Sequence, residues 1–153
     1  MNIVCLYIIS FNNVIIESSS HGLEQNRLHH IDFKGAIFTN FSQDHLDYNK
    51  NMKSYLNAKL ILFREILEKK KTIITDKEIK EFSLIKKISK KKSLKLLDIS
   101  NEISKIKYEL PDYVNDFKIK NIAMAIKAAK LCGLRKKIIY KNFLSKKNVY
   151  LSL

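Results

Sequence analysis

Short apolar runs rich in β-branched residues alternate with longer helical stretches along this chain, and this alternation limits the possible folds more than any other feature. The apolar runs predict strands, and the stretches between them have the spacing of amphipathic helices. Alternating strands and helices form a mainly parallel sheet flanked by helices, so the sequence predicts an α/β fold. The predicted strands are 14–16, 36–39, 71–75 and 94–99, and the predicted helices are 51–70 and 79–89.

Two of the predicted strands end in polar segments. The run 14–16 is followed by 17–22, which reads Glu-Ser-Ser-Ser-His-Gly, and the run 36–39 is followed by the polar segment 40–47. Because the carboxyl ends of parallel strands meet at one edge of a sheet, where ligands gather, the two loops predict a binding site at that edge.

The predicted helix 51–70 places a lysine on its apolar side. Lys59 stands four residues from both Tyr55 and Phe63, so it lies on the same helical stripe as they do. Two interpretations remain open: the side chain extends along the apolar surface to reach water, or it is recruited for chemistry. The rest of the stripe is Leu56, Leu62, Ile66 and Leu67.

The last clear helical pattern begins near Asn121, a residue type that favours the N-cap position. Gly133 supplies the C-terminal stop. The sequence therefore predicts a helix between these two residues, and no clear pattern follows it. Its apolar stripe is Ile122, Ala125, Ile126 and Ala129.

The formal net charge of +14 raises nucleic acid as a partner, because clustered cations release counterions from phosphate backbones. Only Arg27, Arg64 and Arg135 are arginines among the 29 basic residues, and the lysines, apart from Lys34, are spread over 50–147. This spread favours a solvated lysine-rich surface over a nucleic-acid interface. A lysine-rich nucleic-acid-binding protein is kept as an alternative.

The length of 153 residues accommodates one modest domain. Cys5 and Cys132 match no metal or redox spacing, so we expect reduced thiols and a cytoplasmic location. The apolar start, residues 1–9, has no basic leader and is too short to cross a bilayer. Neither export nor a membrane partner is therefore expected.

The histidines and carboxylates of the two loops permit several kinds of site. The four histidines, at positions 21, 29, 30 and 45, lack the spacing of a zinc site. A hard cation held by oxygen atoms fits Glu17, Asp44 and His45 better. A triad of Ser19, His45 and Asp47 lacks the Gly-x-Ser-x-Gly elbow. No glycine of the chain lies in a phosphate-binding P-loop motif.

Three linked motifs resemble the central domain of the Mur ligases. They read Glu17-Ser-Ser-Ser-His-Gly-Leu-Glu-Gln-Asn-Arg27, Phe38-Thr-Asn-Phe-Ser-Gln-Asp-His-Leu-Asp-Tyr48 and Tyr55-Leu-Asn-Ala-Lys59. Their order and spacing are closest to the members that add the third residue of the peptidoglycan stem peptide, 2,6-diaminopimelate or lysine. The similarity extends more weakly over 13–149, which leaves 1–12 as a divergent N-terminal segment and 150–153 as an unmatched tail.

The resemblance implies an α/β, P-loop NTPase-like central domain, truncated at both ends, from an ATP-dependent acid–amino-acid ligase. Enzymes of this family activate the terminal carboxylate of a UDP-muramoyl peptide as an acyl phosphate, and an amine then displaces phosphate to form an amide. The substrate would be UDP-MurNAc-L-Ala-D-Glu, with ATP as cosubstrate and Mg²⁺ as cofactor.

The resemblance also implies roles for single residues. Ser19, Gln25 and Arg27 match residues that contact the UDP-muramoyl peptide. Glu17 and His45 match magnesium-site residues, and His45 is also expected to be catalytic.

Lys59 matches a lysine that similar enzymes carbamylate, which would make it a catalytic residue and a carboxylate-like ligand for a second Mg²⁺. Asn121 matches a nucleotide-binding position.

The family's Gly-x-x-Gly-Lys-Thr/Ser loop would precede position 14, and its amino-acid-binding domain would begin near position 149. We therefore expect this chain to be inactive alone and to depend on a complementary chain that carries the P-loop. A noncatalytic remnant that binds the UDP-muramoyl peptide is the alternative within the same family.

Overall fold

The computed structural model of this chain describes residues 3–8, 13–39, 41, 52–110 and 114–145. Its strands form a single five-stranded sheet with the order β2-β1-β3-β4-β5. The strands are β1 (Ile3–Ile8), β2 (Asn13–Ser18), β3 (Phe33–Phe38), β4 (Thr72–Thr75) and β5 (Lys95–Asp98).

Six α-helices connect or flank the strands in the part of the chain that the structure describes. They are α1 (Ser20–Glu24), α2 (Met52–Ile61), α3 (Phe82–Lys91), α4 (Ser100–Lys107), α5 (Asp116–Leu131) and α6 (Lys136–Ser145). A turn of π-helix, Leu62–Ile66, directly extends α2. No helix of the described ranges is both long and apolar enough to span a bilayer.

Four of the five strands run in one direction. β3, β4 and β5 pair in parallel, and β1 is antiparallel to both β2 and β3. Because β2 and β3 both oppose β1, they are parallel to each other. The carboxyl ends of β2, β3, β4 and β5 therefore lie at one edge, and the predicted α/β class with a mainly parallel sheet is confirmed. β1 joins this sheet from within residues 1–12, the segment that the sequence places outside the domain.

The core consists of two apolar clusters, one on each face of the sheet, because side chains of successive strand residues point to opposite faces. Ile73 of β4 packs with Phe63 and Ile85, on the face covered by α2, the π turn and α3. Its neighbour Ile74 packs with Ile119 on the other face, which α4, α5 and α6 cover. The result is a sheet between two helical layers.

The helix α5 approaches the sheet closely at Gly35 of β3. A Cβ atom at this position would lie 2.7 Å from Cδ2 of Leu131 and 2.7 Å from the carbonyl oxygen of Thr72. Only a glycine leaves room for both neighbours, so Gly35 sets the distance between β3 and the C-terminal turn of α5.

Most of the predicted elements are present, with shifted ends. The predicted strand 14–16 lies in β2, 36–39 overlaps β3, and the later pair correspond to β4 and β5. The helix predicted over 51–70 is α2 with its π turn and ends at Ile66. The helix predicted over 79–89 begins later, at Phe82.

The predicted start of the last helix was wrong. α5 begins at Asp116, and Asn115 is its N-cap, with Oδ1 accepting a hydrogen bond from the backbone N–H of Lys118 at 2.9 Å. Asn121 lies inside the helix. The predicted end is confirmed: Gly133 has a φ of +85°, and the backbone N–H of Leu134 donates to the carbonyl of Ala129 at 3.1 Å, as in a Schellman motif.

The predicted stripe of α5 was only partly right. Ile126 is buried, but Ala125 is exposed, and Ile122 and Ala129 are half-buried. These residues line a groove between α5 and α6. α5 packs on both the sheet and α6, so its buried surface is wider than one stripe; it comprises Ile119, Ala123, Met124, Ile126 and Ala128.

Candidate functional site

The carboxyl end of β2 positions the first group of candidate residues. Glu17 is the second-to-last residue of this strand. Ser19 follows the strand and caps α1, with its Oγ accepting a hydrogen bond from the backbone N–H of Gly22 at 3.1 Å. Gln25 is the C-cap of α1, and Arg27 lies in the next turn.

The three predicted substrate-contact residues are all exposed. The turn that follows α1 is tight: Asn26 has a φ of +57°, and the backbone N–H of Arg27 donates to the carbonyl of Gly22 at 3.1 Å. α1 and its turn therefore hold Ser19, Gln25 and Arg27 on one short, ordered segment beside the edge of the sheet. Their polar groups are accessible to a ligand from solvent.

Lys59 is enclosed by the protein. It is 1% exposed, so the interpretation in which its side chain reaches water was wrong. Its Nζ lies 4.8 Å from the centre of the Tyr55 ring. That ring in turn packs on Phe41, with 5.2 Å between the ring centres. An aromatic face stabilises a cation but replaces only part of the hydration that the ammonium loses on burial.

The structure brings Lys59 and Glu17 together. Burial lowers the pKa of Lys59 to about 8, while the Glu17 carboxylate opposes this change by favouring the charged amine. An ordinary lysine is almost wholly protonated near neutral pH, whereas a pKa of about 8 leaves about a tenth of the amine neutral at pH 7. Lys59 is therefore a nucleophilic amine next to a carboxylate, at the edge where polar loops were predicted to meet.

The lowered pKa makes the stability of the fold depend on pH. The folded chain binds fewer protons than the unfolded chain between pH 8 and pH 10.5, so the free energy of unfolding should rise across this range, by about 3 kcal/mol. We expect the variant Lys59→Met to lack this rise. Urea unfolding followed by circular dichroism at several pH values measures it.

The matched control is Lys53→Met, a change of an exposed lysine on the same helix. Deprotonation of the many other lysines affects both variants equally. Lys53→Met should therefore keep the full rise in the free energy of unfolding between pH 8 and pH 10.5. If Lys59→Met and Lys53→Met showed the same slope between pH 8 and pH 10.5, the proposed state of Lys59 would be excluded.

The remaining metal and catalytic candidates follow β3 in the sequence. His45, Asp44 and Asp47 lie outside the described residues. Among the residues that are described, no group of three His, Cys, Asp or Glu side chains could hold a metal. Glu17 supplies one oxygen donor. A carbamate on Lys59 would supply another, so the donor set at this position fits a hard cation such as Mg²⁺.

Asn121 lies at a different part of the same edge. It borders a cavity of about 220 Å³ between the end of β3 and the first turns of α5. The lining combines apolar surface with hydrogen-bonding groups, which suits a flat heterocycle with polar edges. The lining residues are Thr39, Ile79, Asp116, Phe117, Lys120, Asn121 and Met124.

An ion pair that the sequence analysis missed fixes this part of the edge. Asp76 follows β4 directly and is 1% exposed. Its Oδ2 lies 2.6 Å from Nζ of Lys120, which is also 3.5 Å from Glu78. The hydrogen bond to Asp76 raises the pKa of Lys120. Because Lys120 precedes Asn121, the pair fixes α5 against β4 next to the cavity. The sequence feature that could have revealed this ion pair is the carboxylate of Asp76, directly after the predicted strand 71–75.

Comparisons with known proteins point to one family. Residues 10–140 match the model of the family described as Mur ligase middle domain. The chain is 44% identical over 107 residues to the UDP-N-acetylmuramoyl-L-alanyl-D-glutamate–2,6-diaminopimelate ligase of Wigglesworthia glossinidia brevipalpis, covering 70% of this chain and 21% of that protein. It is 34% identical over 149 residues to the Aquifex aeolicus (strain VF5) ligase of the same name, covering 87% and 31%.

A solved structure of a ligase with this name is also similar. It matches with a TM-score of 0.65 at 18% identity and covers 94% of this chain and 40% of that one. At this identity, the likeness concerns the fold. The chain spans less than a third of the length of the two curated relatives.

Proposed function

The chain belongs to the Mur ligase family, and from this premise we propose that it supplies the magnesium and muramoyl-peptide side of a ligase active site. The reaction is the ATP-dependent joining of the third stem-peptide residue, 2,6-diaminopimelate, to UDP-MurNAc-L-Ala-D-Glu in the cytoplasm. Relatives named for this reaction, including one that aligns over 87% of the chain, support the assignment.

The observation that carries the proposal is the burial of Lys59 beside Glu17. A neutral amine adds to CO₂: a bond forms between Nζ and the carbon, and the nitrogen loses a proton to leave a carbamate anion. The lowered pKa of Lys59 supplies the neutral amine that this reaction requires. Carbamylation changes a buried cation into an oxygen ligand, and a bound Mg²⁺ would offset its repulsion by Glu17.

The metal would be held by Glu17, by carbamylated Lys59 and by His45. When bound, Mg²⁺ stabilises the negative charge that passes between oxygens during phosphoryl transfer. Within this chain, Glu17 and Lys59 would fix its position from a strand and a helix, which are rigid elements. The burial of Lys59 under Tyr55 limits the access of water to the amine, and it would slow the protonation by which a carbamate loses CO₂.

The muramoyl peptide would bind on the exposed segment that begins at α1. The guanidinium of Arg27 offers paired donors to an anionic group of the substrate, and Gln25 offers an amide. The Oγ of Ser19 accepts a bond from the backbone N–H of Gly22, and its hydroxyl hydrogen, which takes no part in that bond, would donate to the substrate. These three groups orient the substrate and leave the chemistry to the edge of the sheet.

ATP would be bound only in part by this chain. Asn121 and the cavity beside it would hold the base, with Lys120 fixed by Asp76 as its support. The sequence contains no Gly-Lys-Thr/Ser loop for the phosphates. Groups from a complementary chain or segment would therefore have to bind them.

The purified chain, supplied with ATP, Mg²⁺, UDP-MurNAc-L-Ala-D-Glu and diaminopimelate, is expected to release no phosphate and form no amide. Adding the parts that its longer relatives contain should restore both products. Phosphate release together with chromatography of the UDP-muramoyl peptides measures this. Turnover by the chain alone would refute its dependence on a complement. Substrate binding that never leads to turnover, even with the complement, would favour a noncatalytic binding remnant.

A further inference from the structure

Two lysine-rich segments that are separate in the sequence meet at the amino edge of the sheet. One precedes β4 and the other precedes β5. The backbone N–H of Lys70 donates to the carbonyl of Ser93 at 2.9 Å, and that of Lys95 donates to the carbonyl of Lys71 at 2.8 Å. The parallel pairing of β4 with β5 thus brings both segments side by side.

We call the resulting surface the lysine patch. Five of its seven lysines are exposed and two are half-buried. The carboxylate of Asp32 pairs with Lys71 at 2.5 Å, and Glu68 is exposed nearby in the sequence, so positive charge is in clear excess. The patch consists of Lys69, Lys70, Lys71, Lys90, Lys91, Lys92 and Lys95.

A lysine-rich composition alone does not explain this placement. The carboxyl ends of the strands are followed or ended by acids, among them Asp76, Glu78 and Asp98, whereas the amino edge concentrates lysines. Lys90 and Lys91 lie in the last turn of α3, where cations are favoured by the helix dipole. The attraction of cations to the end of a helix acts only within about one turn. It therefore does not explain the lysines of the loop before β4.

We propose that the lysine patch docks the domain on an anionic lipid surface. The patch contains lysine but no arginine, and lysine acts as a point charge without the planar fork that suits directed contacts to phosphate or bases. Of the large exposed apolar side chains among the described residues, Leu97 lies beside the patch, two residues from Lys95 on the same face of β5, and the seven lysines outnumber it; the others are Ile15, Tyr108, Phe117, Leu134 and Ile138. Nonspecific charge attraction is therefore what this surface offers, and an anionic bilayer is its natural complement.

Docking in this manner leaves the proposed active edge accessible. A four-residue strand such as β4 is about 13 Å long, and the patch and the pair Glu17–Lys59 lie at opposite ends of the strands. The interaction requires no membrane-spanning segment, so it differs from the expectation of no membrane partner, which was based on the lack of an export signal and of a segment long enough to cross a bilayer. It also does not depend on the proposed ligase function, because no patch residue belongs to the site.

The test compares two variants of equal net charge. One changes Lys69, Lys70, Lys91 and Lys95 to Gln within the patch. The control changes four exposed lysines elsewhere to Gln, namely Lys53, Lys105, Lys137 and Lys141. Binding to vesicles of equal parts phosphatidylglycerol and phosphatidylcholine is measured by co-sedimentation, with circular dichroism to compare the folds.

The patch variant is expected to bind about 1,000-fold more weakly than the unchanged chain, because each of its four lysines near an anionic surface contributes on the order of 1 kcal/mol. The control is expected to bind less than about tenfold more weakly, because its four lysines lie away from that surface. Binding should weaken as salt is added. In the unchanged chain, vesicles should also protect patch lysines from acetylation more than the control lysines. Equal losses in both variants, uniform acetylation, or binding to duplex DNA without binding to vesicles would overturn the proposal.

Discussion

In a ligase reconstituted from this chain and the complementary parts of its relatives, Lys59→Ala is expected to lower ligation by at least about 1,000-fold, or roughly 4 kcal/mol of transition-state stabilisation. The change removes the amine that would carry a carbamate, and with it one ligand of the proposed metal site. The rate of phosphate release and amide formation under saturating Mg²⁺ measures the effect.

Small carboxylates such as acetate or formate should partly restore activity to this variant, because alanine leaves a space beside Glu17 in which a free carboxylate can replace the carbamate. The control is Lys53→Ala, which removes an exposed lysine from the same helix and should leave ligation unchanged. If Lys59→Ala retained full activity, or if carboxylates stimulated both variants equally, Lys59 would have no place in the metal site.

The position of Lys59 on the apolar side of its helix could be predicted from the sequence for a physical reason. The helical stripe that includes Tyr55 and Phe63 could be read from spacing alone, and a lysine on such a stripe must either reach solvent or be enclosed. Spacing could not decide between these outcomes. The decision depends on Phe41 and the packing of Tyr55, which place a ring over the lysine route to solvent, and such contacts between distant segments leave no trace in local periodicity.

The positions of β3 and β4 could also be predicted from the local pattern of apolar residues, but the pairing of the strands could not. β3 is apolar except for Lys34, and all four residues of β4, Thr-Ile-Ile-Thr, are buried, as expected for strands that are covered on both faces. The short run 3–8 is also apolar, but nothing in it states that it inserts antiparallel between β2 and β3. Pairing is determined by neighbours that are distant in sequence.

The missed helices show how composition can hide a pattern. The exposed positions of α4 are all polar, and its buried residues, Glu102 and Ile106, include a carboxylate. α6 follows Gly133 and begins with two lysines. In the sequence, Glu102 looks like an exposed polar position. It therefore interrupts the apolar stripe by which α4 would have been recognised as a helix.

That buried carboxylate is expected to be important for stability: Glu102→Ala should lower the free energy of unfolding by about 3 kcal/mol. Glu102 of α4 is 4% exposed. It accepts a hydrogen bond from Nζ of Lys130 at 2.8 Å on α5 and another from the hydroxyl of Tyr140 at 2.9 Å on α6. One side chain thus joins three helices, and its removal leaves two partly buried donors without an acceptor.

The pKa values agree with this role. Burial alone would raise the pKa of Glu102, but the hydrogen bonds from Lys130 and Tyr140 and the nearby charge of Lys127 outweigh it, and the pKa is lowered. Burial and the bond to Glu102 raise the pKa of Tyr140 to about 12. The carboxylate therefore stabilises the fold above its unfolded pKa of about 4.5, and this contribution is lost as the pH falls below that value and through the folded pKa.

Urea unfolding at pH 7 measures the loss, and the same experiment at lower pH tests its origin. Glu102→Gln keeps the size of the side chain but not its charge, so it should be less destabilising than alanine and should lack the acid-dependent part. Asn101→Ala, at an exposed position of the same helix, is the control and should change stability by less than about 0.5 kcal/mol. Should Glu102→Ala unfold at the same urea concentration as Asn101→Ala, α5 and its Asn121 cavity would have to be held by apolar packing alone.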